Sequence, residues 1–265
     1  MSFDFSALLV FLTFASGVIW ALDSWVFRRR RNKVVSEVNG TESSPEPILV
    51  EYARSFFPVF LIVLILRSFI MEPFRIPSAS MMPTLLIGDF ILVNKYDYGI
   101  RLPVIHTKIF ENHTPERGDI IVFRYPEDPS IPYIKRVVGV PGDHLEYHNK
   151  SLYINGIAVE QDPIGKYEVM RGGGNWNILS WRKEHLGDVT HEILIDPDSL
   201  SLNVETWIPE GKYFVLGDNR DNSKDSRYWG FVPDENLVGR AFMIWMNWNT
   251  KNGGITWSRI GTILN

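Results

Sequence analysis

Residues 152–159 read LYINGIAV, and this stretch decides the fold class of the chain. Asn155 and Gly156 separate two short apolar runs, and both residue types tolerate the positive φ angles that a two-residue hairpin turn requires. The two runs are therefore predicted to pair as the strands of a β-hairpin.

Further strands are predicted on both sides of this hairpin, because short apolar and β-branched runs recur between turn signals. These runs are 90–93, 120–125, 134–140, 145–147, 213–216 and 241–248. They follow no fixed period, so the turns between them do not mark repeats. The pattern weakens between 167 and 198, where three glycines stand at 172–174. We expect a mainly antiparallel β domain over 73–265, with a smaller variable subdomain at about 156–211.

Composition limits the classes of protein to which the chain can belong. Its 265 residues suffice for one large domain, or two small ones, plus membrane anchors. A hydrophobic content of 45% with 22% charged residues is globular, and a net charge of −4 gives no footprint for nucleic acid. The absence of cysteine excludes disulfides, thiolate metal sites and a cysteine nucleophile.

The first membrane anchor is predicted over residues 5–22, an uncharged run between Asp4 and Asp23. Its length is near the minimum for crossing a bilayer as a helix. The alternative is a cleaved signal peptide, which normally begins with a basic segment. Residues 1–4 contain no lysine or arginine, so a retained transmembrane helix is favoured.

The orientation of this helix is indicated by the basic residues that follow it. Residues 28–33 read RRRRNK, and such a cluster beside a membrane span stays in the cytoplasm. A solvated basic tail would explain the charge, but not its place beside an apolar run. The sequence thus predicts an extracytoplasmic N-terminus at 1–4 and a basic cytoplasmic loop at 23–54, in which 34–47 is a polar linker.

A second transmembrane helix is predicted over 55–72. This stretch is apolar apart from Arg67, whose long side chain can reach the membrane interface, as Arg54 can at the other end. The alternative is a hydrophobic core helix, because the uncharged part is short for a span. If both helices cross the bilayer, everything after about residue 73 lies outside the cytoplasm.

The first segment that suggests chemistry is residues 77–84, which read PSASMMPT. Ser78 and Ser80 stand two apart, and Pro83 closes a turn that would display a hydroxyl group. On turn chemistry alone an ordinary loop explains the same residues. A serine hydroxyl also needs a base to become a good nucleophile.

The base that would activate such a serine is not an evident histidine. No histidine lies in a recognisable triad signature, and G-x-S-x-G is absent. The six histidines are His106, His113, His144, His148, His185 and His191. A lysine held neutral by burial is the alternative base, which requires its pKa to fall from about 10.4 toward neutrality. Lys135 and Arg136 stand in an apolar strand, and alternation alone does not decide which faces a site, although arginine cannot be deprotonated.

The third segment is residues 217–227, which read GDNRDNSKDSR directly after an apolar strand. A calcium loop is excluded as an interpretation, because Arg220 stands where an oxygen ligand belongs and the twelfth position has no glutamate. A surface turn is the other alternative. Asp225 and Arg227 are able to pair, and Ser223 is able to hydrogen-bond a neutral lysine, which would supply the orienting partner of a nucleophile–base pair.

One further match is rejected. Residues 180–183 read SWRK and fit S-x-x-K, the signature of β-lactamases and penicillin-binding proteins. Those families also need a K-T-G element, which the chain does not contain, and the residues around Ser180 lack helical patterning. A four-letter pattern with two free positions often arises by chance.

Taken together, the three segments resemble the conserved boxes of bacterial type I signal peptidase, also called leader peptidase. Residues 78–83 match its S-x-S-M-x-P pattern, and residues 217–227 match G-D-N-x-x-N-S-x-D-S-R without a gap. Residues 133–136, followed by Gly139 and by PGD at 141–143, match the strand that carries the catalytic lysine of the family. Two anchors around a basic loop also resemble the two-helix Gram-negative form, so the resemblance covers nearly the whole chain.

The resemblance implies a role for each site residue. Ser80 is the nucleophile and Lys135, not Arg136, is its general base. The Ser80 backbone N–H and the Ser78 hydroxyl form the oxyanion hole, and Ser223 orients the lysine amine. Asp225 and Arg227 brace the site as an ion pair. The substrate pockets are assigned to Phe74, Ile76, Met81, Leu85, Tyr133 and Ile134, for each of which a place in the core is the alternative.

The implied function is cleavage of N-terminal signal sequences by a membrane-bound endopeptidase of the bacterial inner membrane, with its catalytic domain in the periplasm. The implied fold is a signal-peptidase-like β fold after two transmembrane helices. Expected partners are secretory preproteins with small residues at −1 and −3, the phospholipid bilayer and the secretion translocon, with no metal, organic cofactor or nucleic acid. Trp245 and Trp248 are candidates for lipid contact, with core packing as the alternative.

A catalytically inactive membrane-tethered scaffold or binding module of the same fold is the alternative function. A self-cleaving repressor-type Ser–Lys protease is disfavoured by the anchors.

Overall fold

The computed structural model describes residues 5–27, 46–170, 176–249 and 254–264. The predicted extracytoplasmic N-terminus at 1–4, the basic cluster at 28–33, the linker up to residue 45 and the three glycines at 172–174 lie outside these ranges. The chain divides into two compact units. One comprises Met1–Ile70 with Arg101–Thr107, and the other comprises Met71–Ile100 with Lys108–Asn265.

The first unit is built on two apolar helices. Helix α1 spans Phe5–Leu22 and continues as a π-helical turn over Asp23–Phe27, and helix α2 spans Ile48–Ile65 and continues likewise over Leu66–Ile70. Arg67 lies over the ring of Phe5 at 4.3 Å, and the rings of Trp20 and Phe57 are 5.5 Å apart, so the helices run antiparallel. With their terminal turns, both are long and apolar enough to cross a membrane.

The second helix differs from its predicted range of 55–72 at both ends. It begins at Ile48, because the carbonyl of Pro47 accepts hydrogen bonds from the N–H groups of Val50 and Glu51 and so starts the helix there. It ends before Met71, where the chain enters a β-strand. The apolar composition of 55–72 did not reveal either boundary, because the helix start and the strand pairing depend on backbone hydrogen bonds.

Eighteen strands, one short α-helix and three 3₁₀ turns follow in the described part of the chain. The strands are β1 Met71–Arg75, β2 Asp89–Asn94, β3 Ile100–Arg101, β4 Lys108–Phe110, β5 Ile120–Tyr125, β6 Asp128–Gly139, β7 His144–His148, β8 Ser151–Ile154, β9 Ile157–Ala158, β10 Glu160–Met170, β11 Trp176–Leu186, β12 Val189–Ile195, β13 Val204–Trp207, β14 Lys212–Leu216, β15 Val232–Pro233, β16 Leu237–Asn249, β17 Gly254–Ile255 and β18 Thr262–Ile263. Helix α3 spans Ser226–Trp229.

The main sheet has the strand order β1-β2-β16-β5-β6-β14-β15, and β17 and β18 also pair with β16. All of its strand pairs are antiparallel. Fully buried apolar side chains such as Ile91, Ile121 and Val137 form the core on its faces. The predicted fold class, two apolar helices followed by a mainly antiparallel β domain, is confirmed.

The hairpin that predicted this fold class lies in a second sheet, with the order β13-β7-β8-β9. Asn155 and Gly156 connect β8 to β9 with φ angles of 53° and 77°, as the turn chemistry requires. The side chain and backbone of Asn155 also bond to neighbouring groups, including Asp143 at 3.0 Å. The turn is therefore fixed by local geometry and by two hydrogen bonds of the Asn155 side chain.

The described strands in the region with a weak pattern, 167–198, belong to a three-stranded antiparallel sheet of β10, β11 and β12. It was not recognised as strand because β11 carries charged residues, including the fully buried Glu184, where apolar residues would alternate. Glu184 is satisfied by an ion pair with Arg220, which the strand pattern does not reveal.

Candidate active site

The turn that carries Ser80 follows β1 and lies against the loop at 217–227. Ser80 is 8% exposed, and its carbonyl accepts a hydrogen bond from the backbone N–H of Asn219 at 3.1 Å. The Ser78 and Ser80 hydroxyl oxygens are 3.4 Å apart. The turn is thus held by its neighbours with both hydroxyl groups on the same side.

Strand β6 brings Lys135 to this turn. The Lys135 amine Nζ lies 2.7 Å from Ser80 Oγ and donates a second hydrogen bond to the Ile134 carbonyl at 2.9 Å. The lysine side chain is buried, with 4% of the residue exposed. Two residues separated by 55 positions in the chain are therefore in direct contact, and both are buried.

Burial lowers the pKa of Lys135 to about 8, since the charged ammonium loses its hydration. The carboxylates of Asp225 and Asp218 act in the opposite direction and limit the fall. An ordinary lysine is almost entirely protonated at neutral pH, whereas an amine with this pKa is neutral in about one tenth of the molecules at pH 7. The site can therefore supply a lysine that accepts a proton.

The neighbouring Arg136 points to the opposite face of β6 and is held by Asp218. Arg136 Nε and Nη2 donate to the two carboxylate oxygens of Asp218 at 2.9 Å and 3.0 Å, and both residues are 1% exposed. Thr84, four residues beyond Ser80, donates to the same carboxylate at 2.5 Å. Although burial alone raises the pKa of Asp218, the guanidinium of Arg136 keeps it below its usual value. This ion pair joins β6, the serine turn and the loop at 217–227.

The remaining residues of the predicted site are also close to it. Asp225 and Arg227 form a bidentate ion pair with N–O distances of 2.8 Å and 2.9 Å, and Asp225 accepts the Gly217 N–H at 3.0 Å. Ser223 Oγ is buried and forms no hydrogen bond within the described ranges. A Cβ atom on Gly217 would lie only 2.3 Å from it. The predicted contact between Ser223 and the lysine amine is thus not formed in this structure, and its orienting role stays a prediction.

The structure places four of the six predicted pocket residues around one cleft. A cleft of about 80 Å³ is lined by Phe74, Ile76, Tyr133 and Ile134, together with flanking residues of β1, β2, β5 and β6. Met81 and Leu85 have no exposed surface and belong to the core with Ile91. Their assignment to the substrate pocket stays a prediction, because Ile91, which is equally buried, lines the cleft.

The edges of two strands adjoin this cleft. Strand β1 is at one end of the main sheet and pairs only with β2 among the described strands. Strand β14 pairs with β6 only from Arg136 to Gly139, so the half of β6 before Lys135 has no partner from β14. Free backbone groups at such edges can bind an extended peptide by β-augmentation.

The residues that sequence reasoning did not assign are Asp218, Asn219, Thr84 and Arg136. All four lie within or beside the three segments, but the sequence of a segment does not predict which of its side chains contact another segment. The sequence gives one weak signal for Asp218: it is an acidic residue that follows an apolar strand, and another apolar strand contains Arg136, with which it could pair. Among the described residues, no group of three or more histidine, aspartate or glutamate side chains has the geometry of a metal site.

Comparison with known proteins identifies the family. The sequence profile of the signal peptidase family, peptidase S26, matches residues 49–248. The chain belongs to this family. A signal peptidase I of Pseudomonas fluorescens is 48% identical, with 94% of each chain covered. That of Pseudomonas aeruginosa is 45% identical, with 99% of this chain and 100% of the relative covered.

Among solved structures, a crystal structure of a signal peptidase I from Enterococcus faecalis is 33% identical, with a TM-score of 0.30. The match covers 48% of this chain and 97% of that one. The family matches confirm the predicted family and the predicted function, a membrane-bound peptidase that cleaves signal sequences. They give no support to an inactive scaffold.

Proposed function

We propose that this signal peptidase uses Ser80 as its nucleophile and Lys135 as its general base. The observation that carries the proposal is the distance of 2.7 Å from the buried Lys135 amine to Ser80 Oγ. At this distance a neutral amine accepts the proton of the serine hydroxyl. Arg136 is unavailable for this role, because its guanidinium is bound to Asp218 and stays charged.

The steps follow from this geometry. Lys135 takes the Ser80 proton as Oγ bonds to the scissile carbonyl carbon, and the carbonyl oxygen becomes an oxyanion. The Ser80 N–H and the Ser78 hydroxyl donate hydrogen bonds to it. When the carbon–nitrogen bond breaks, the lysine ammonium returns its proton to the leaving amine. The lysine then deprotonates the water that attacks the acyl carbon, and its ammonium returns that proton to Ser80 Oγ as the ester bond breaks, so these steps need no metal or organic cofactor.

The proposed substrates are secretory preproteins with small residues at −1 and −3 to the cut. Support comes from the small volume of the cleft lined by Phe74, Ile76, Tyr133 and Ile134. The free edges of β1 and β6 would hold the substrate as an extended strand, so that alternate side chains enter the cleft.

We place the peptidase in the bacterial inner membrane, with the β unit in the periplasm beside the secretion translocon. The apolar helices α1 and α2 are the proposed anchors. Trp245 and Trp248 are 38% and 47% exposed, so their side chains are available to contact the lipid headgroups of the bilayer. Reconstitution in vesicles tests this location, since protease added outside should cleave the β unit only when that unit faces outward.

The pH dependence of cleavage tests the neutral-lysine mechanism. Because only neutral Lys135 accepts a proton, kcat/KM is expected to rise with pH to a plateau, with half of the plateau value near pH 8. Below that point it should fall about tenfold per pH unit. The measurement uses the purified full-length chain in detergent and a fluorogenic signal-sequence peptide. A profile that is flat from pH 6 to 10 would contradict a lysine base.

Removing the Ser78 hydroxyl tests the oxyanion hole. Ser78→Ala is expected to reduce kcat by about 10²–10³-fold, because an oxyanion donor acts mainly on the transition state. The KM should stay nearly constant, since the hydroxyl does not line the cleft. Ser180→Ala, which removes a hydroxyl from strand β11, is the control. An unchanged kcat for Ser78→Ala would remove Ser78 from the mechanism.

A further inference from the structure

The peptide groups on both sides of Ser80 are held by one residue of the facing loop. The Asn219 side-chain amide Nδ2 donates to the Ala79 carbonyl at 3.0 Å, and the Asn219 backbone N–H donates to the Ser80 carbonyl at 3.1 Å. Asn219 therefore fixes the orientation of the two peptide groups that flank the Ser80 side chain.

The first of these contacts controls the direction of the Ser80 N–H. Among the described residues the cis peptide bond is Met82–Pro83, so the Ala79–Ser80 bond is trans. In a trans peptide the C=O and N–H point in opposite directions. A donor that holds the Ala79 carbonyl thereby aims the Ser80 N–H away from Asn219. Within the described ranges this N–H makes no hydrogen bond, so it is free to donate to a substrate.

Asn219 is in turn fixed by its surroundings. The residue is 4% exposed and forms a β-bridge with Leu194 of β12, whose N–H donates to the Asp218 carbonyl at 2.9 Å. The preceding Asp218 side chain is locked in its ion pair with Arg136. Because strand β12 and the buried ion pair hold Asn219 in place, Asn219 in turn holds the serine turn in place.

We infer that Asn219 is a positioning residue for the oxyanion hole, which aims the Ser80 N–H by holding the Ala79 carbonyl. The inference rests on the proposed function, in which that N–H stabilises the oxyanion. The hydrogen bond at the carbonyl also polarises the peptide group, which makes its N–H a stronger donor. Asn219 touches neither the substrate nor the Lys135 amine in this role.

Two substitutions test the inference. Asn219→Ala removes the donor, and Asn219→Asp replaces it with a carboxylate oxygen that repels the Ala79 carbonyl. We expect kcat to fall about 10–100-fold, with the larger loss for aspartate, because a misaligned donor stabilises the transition state poorly. The KM is expected to change by less than about twofold, since ground-state binding does not use this N–H.

The inhibition constant of a peptide aldehyde distinguishes a positioning role of Asn219 from a merely structural one. Addition of Ser80 Oγ to the aldehyde carbon gives a tetrahedral adduct whose oxygen occupies the oxyanion hole, while the serine proton passes to Lys135. Its inhibition constant should rise in both variants by the same factor as kcat falls. The matching peptide with a reduced scissile bond should bind unchanged, because it has no carbonyl oxygen at that position.

The matched control is Asn236→Asp. Asn236 Nδ2 also donates to a backbone carbonyl, that of Arg124 at 2.9 Å, but in a different loop. This variant should keep the kcat and the aldehyde affinity of the unchanged chain. Wild-type kcat in both Asn219 variants would overturn the inference, as would equal loss of affinity for the aldehyde and the reduced peptide. Ser80→Ala in the same assay separates the two proposals, because retained cleavage there would refute the proposed function itself.

Discussion

A Lys135→Ala variant is expected to cleave signal-sequence substrates about 10²–10⁴-fold more slowly, which is the usual contribution of a positioned general base. The amine lies 2.7 Å from Ser80 Oγ, and no described histidine takes part in a hydrogen bond to that oxygen. The measurement is single-turnover cleavage of a preprotein by the purified full-length chain, so that product release does not mask the chemical step.

Controls separate the loss of the base from the loss of charge or fold. Lys135→Arg keeps the positive charge but cannot be deprotonated, so it should be as inactive as the alanine variant. Lys183→Ala removes an exposed lysine of β11 and should keep full activity. Because a nucleophile and its base act as a unit, Ser80→Ala combined with Lys135→Ala should lose little more than Ser80→Ala alone. Substantial cleavage by a folded Lys135→Ala variant would refute the assignment of the base.

An Asp218→Ala variant is expected to lose about 3–5 kcal/mol of stability, since it leaves the buried Arg136 guanidinium without its counter-charge. For a β unit of this size the melting midpoint should fall by roughly 6–20 °C. The change also removes the acceptor of Thr84, so the serine turn loses a tie to the loop at 217–227. Thermal unfolding of the full chain in detergent, followed by tryptophan fluorescence, measures the shift.

The same type of substitution at the surface provides the comparison. Asp162 pairs with His185 at 2.9 Å, but its side chain is 60% exposed, so solvent competes with the pair. Asp162→Ala should leave the midpoint within the error of the measurement. If Asp218→Ala melts at the same temperature as Asp162→Ala, the buried ion pair does not brace the site.

The fold class was accessible from local sequence because its signals are local. Asn155 and Gly156 have the positive φ angles that their turn requires, and the apolar runs become strands of the main sheet and of the sheet that holds the hairpin. The sheet of β10, β11 and β12 was not accessible, because Glu184 and His191 are buried in it as members of a polar cluster with Arg220. Buried polar residues break the expected alternation of apolar and polar side chains, and only the position of their partners explains them.

The sequence predicted only part of the site. The three segments and the chemistry of their residue types led to Ser80, Lys135 and the pair of Asp225 and Arg227, and the family resemblance supplied their roles. The pocket assignment of Met81 and Leu85 stays a prediction, because apolar residues beside a nucleophile look the same in the sequence whether they face substrate or core. Asn219 was passed over, since its contacts are with backbone atoms of a distant turn.

The sequence contains the apolar helices, the turns and the three polar segments, because each depends on residues within a few positions of one another. Strand periodicity also establishes that Lys135 and Arg136 face opposite sides of β6, but not which side holds the serine. Only the tertiary structure decides that, through the contact of Lys135 with Ser80 and of Arg136 with Asp218. The LYINGIAV hairpin therefore predicts the kind of domain, and the packing of β6 between two distant loops makes the active site.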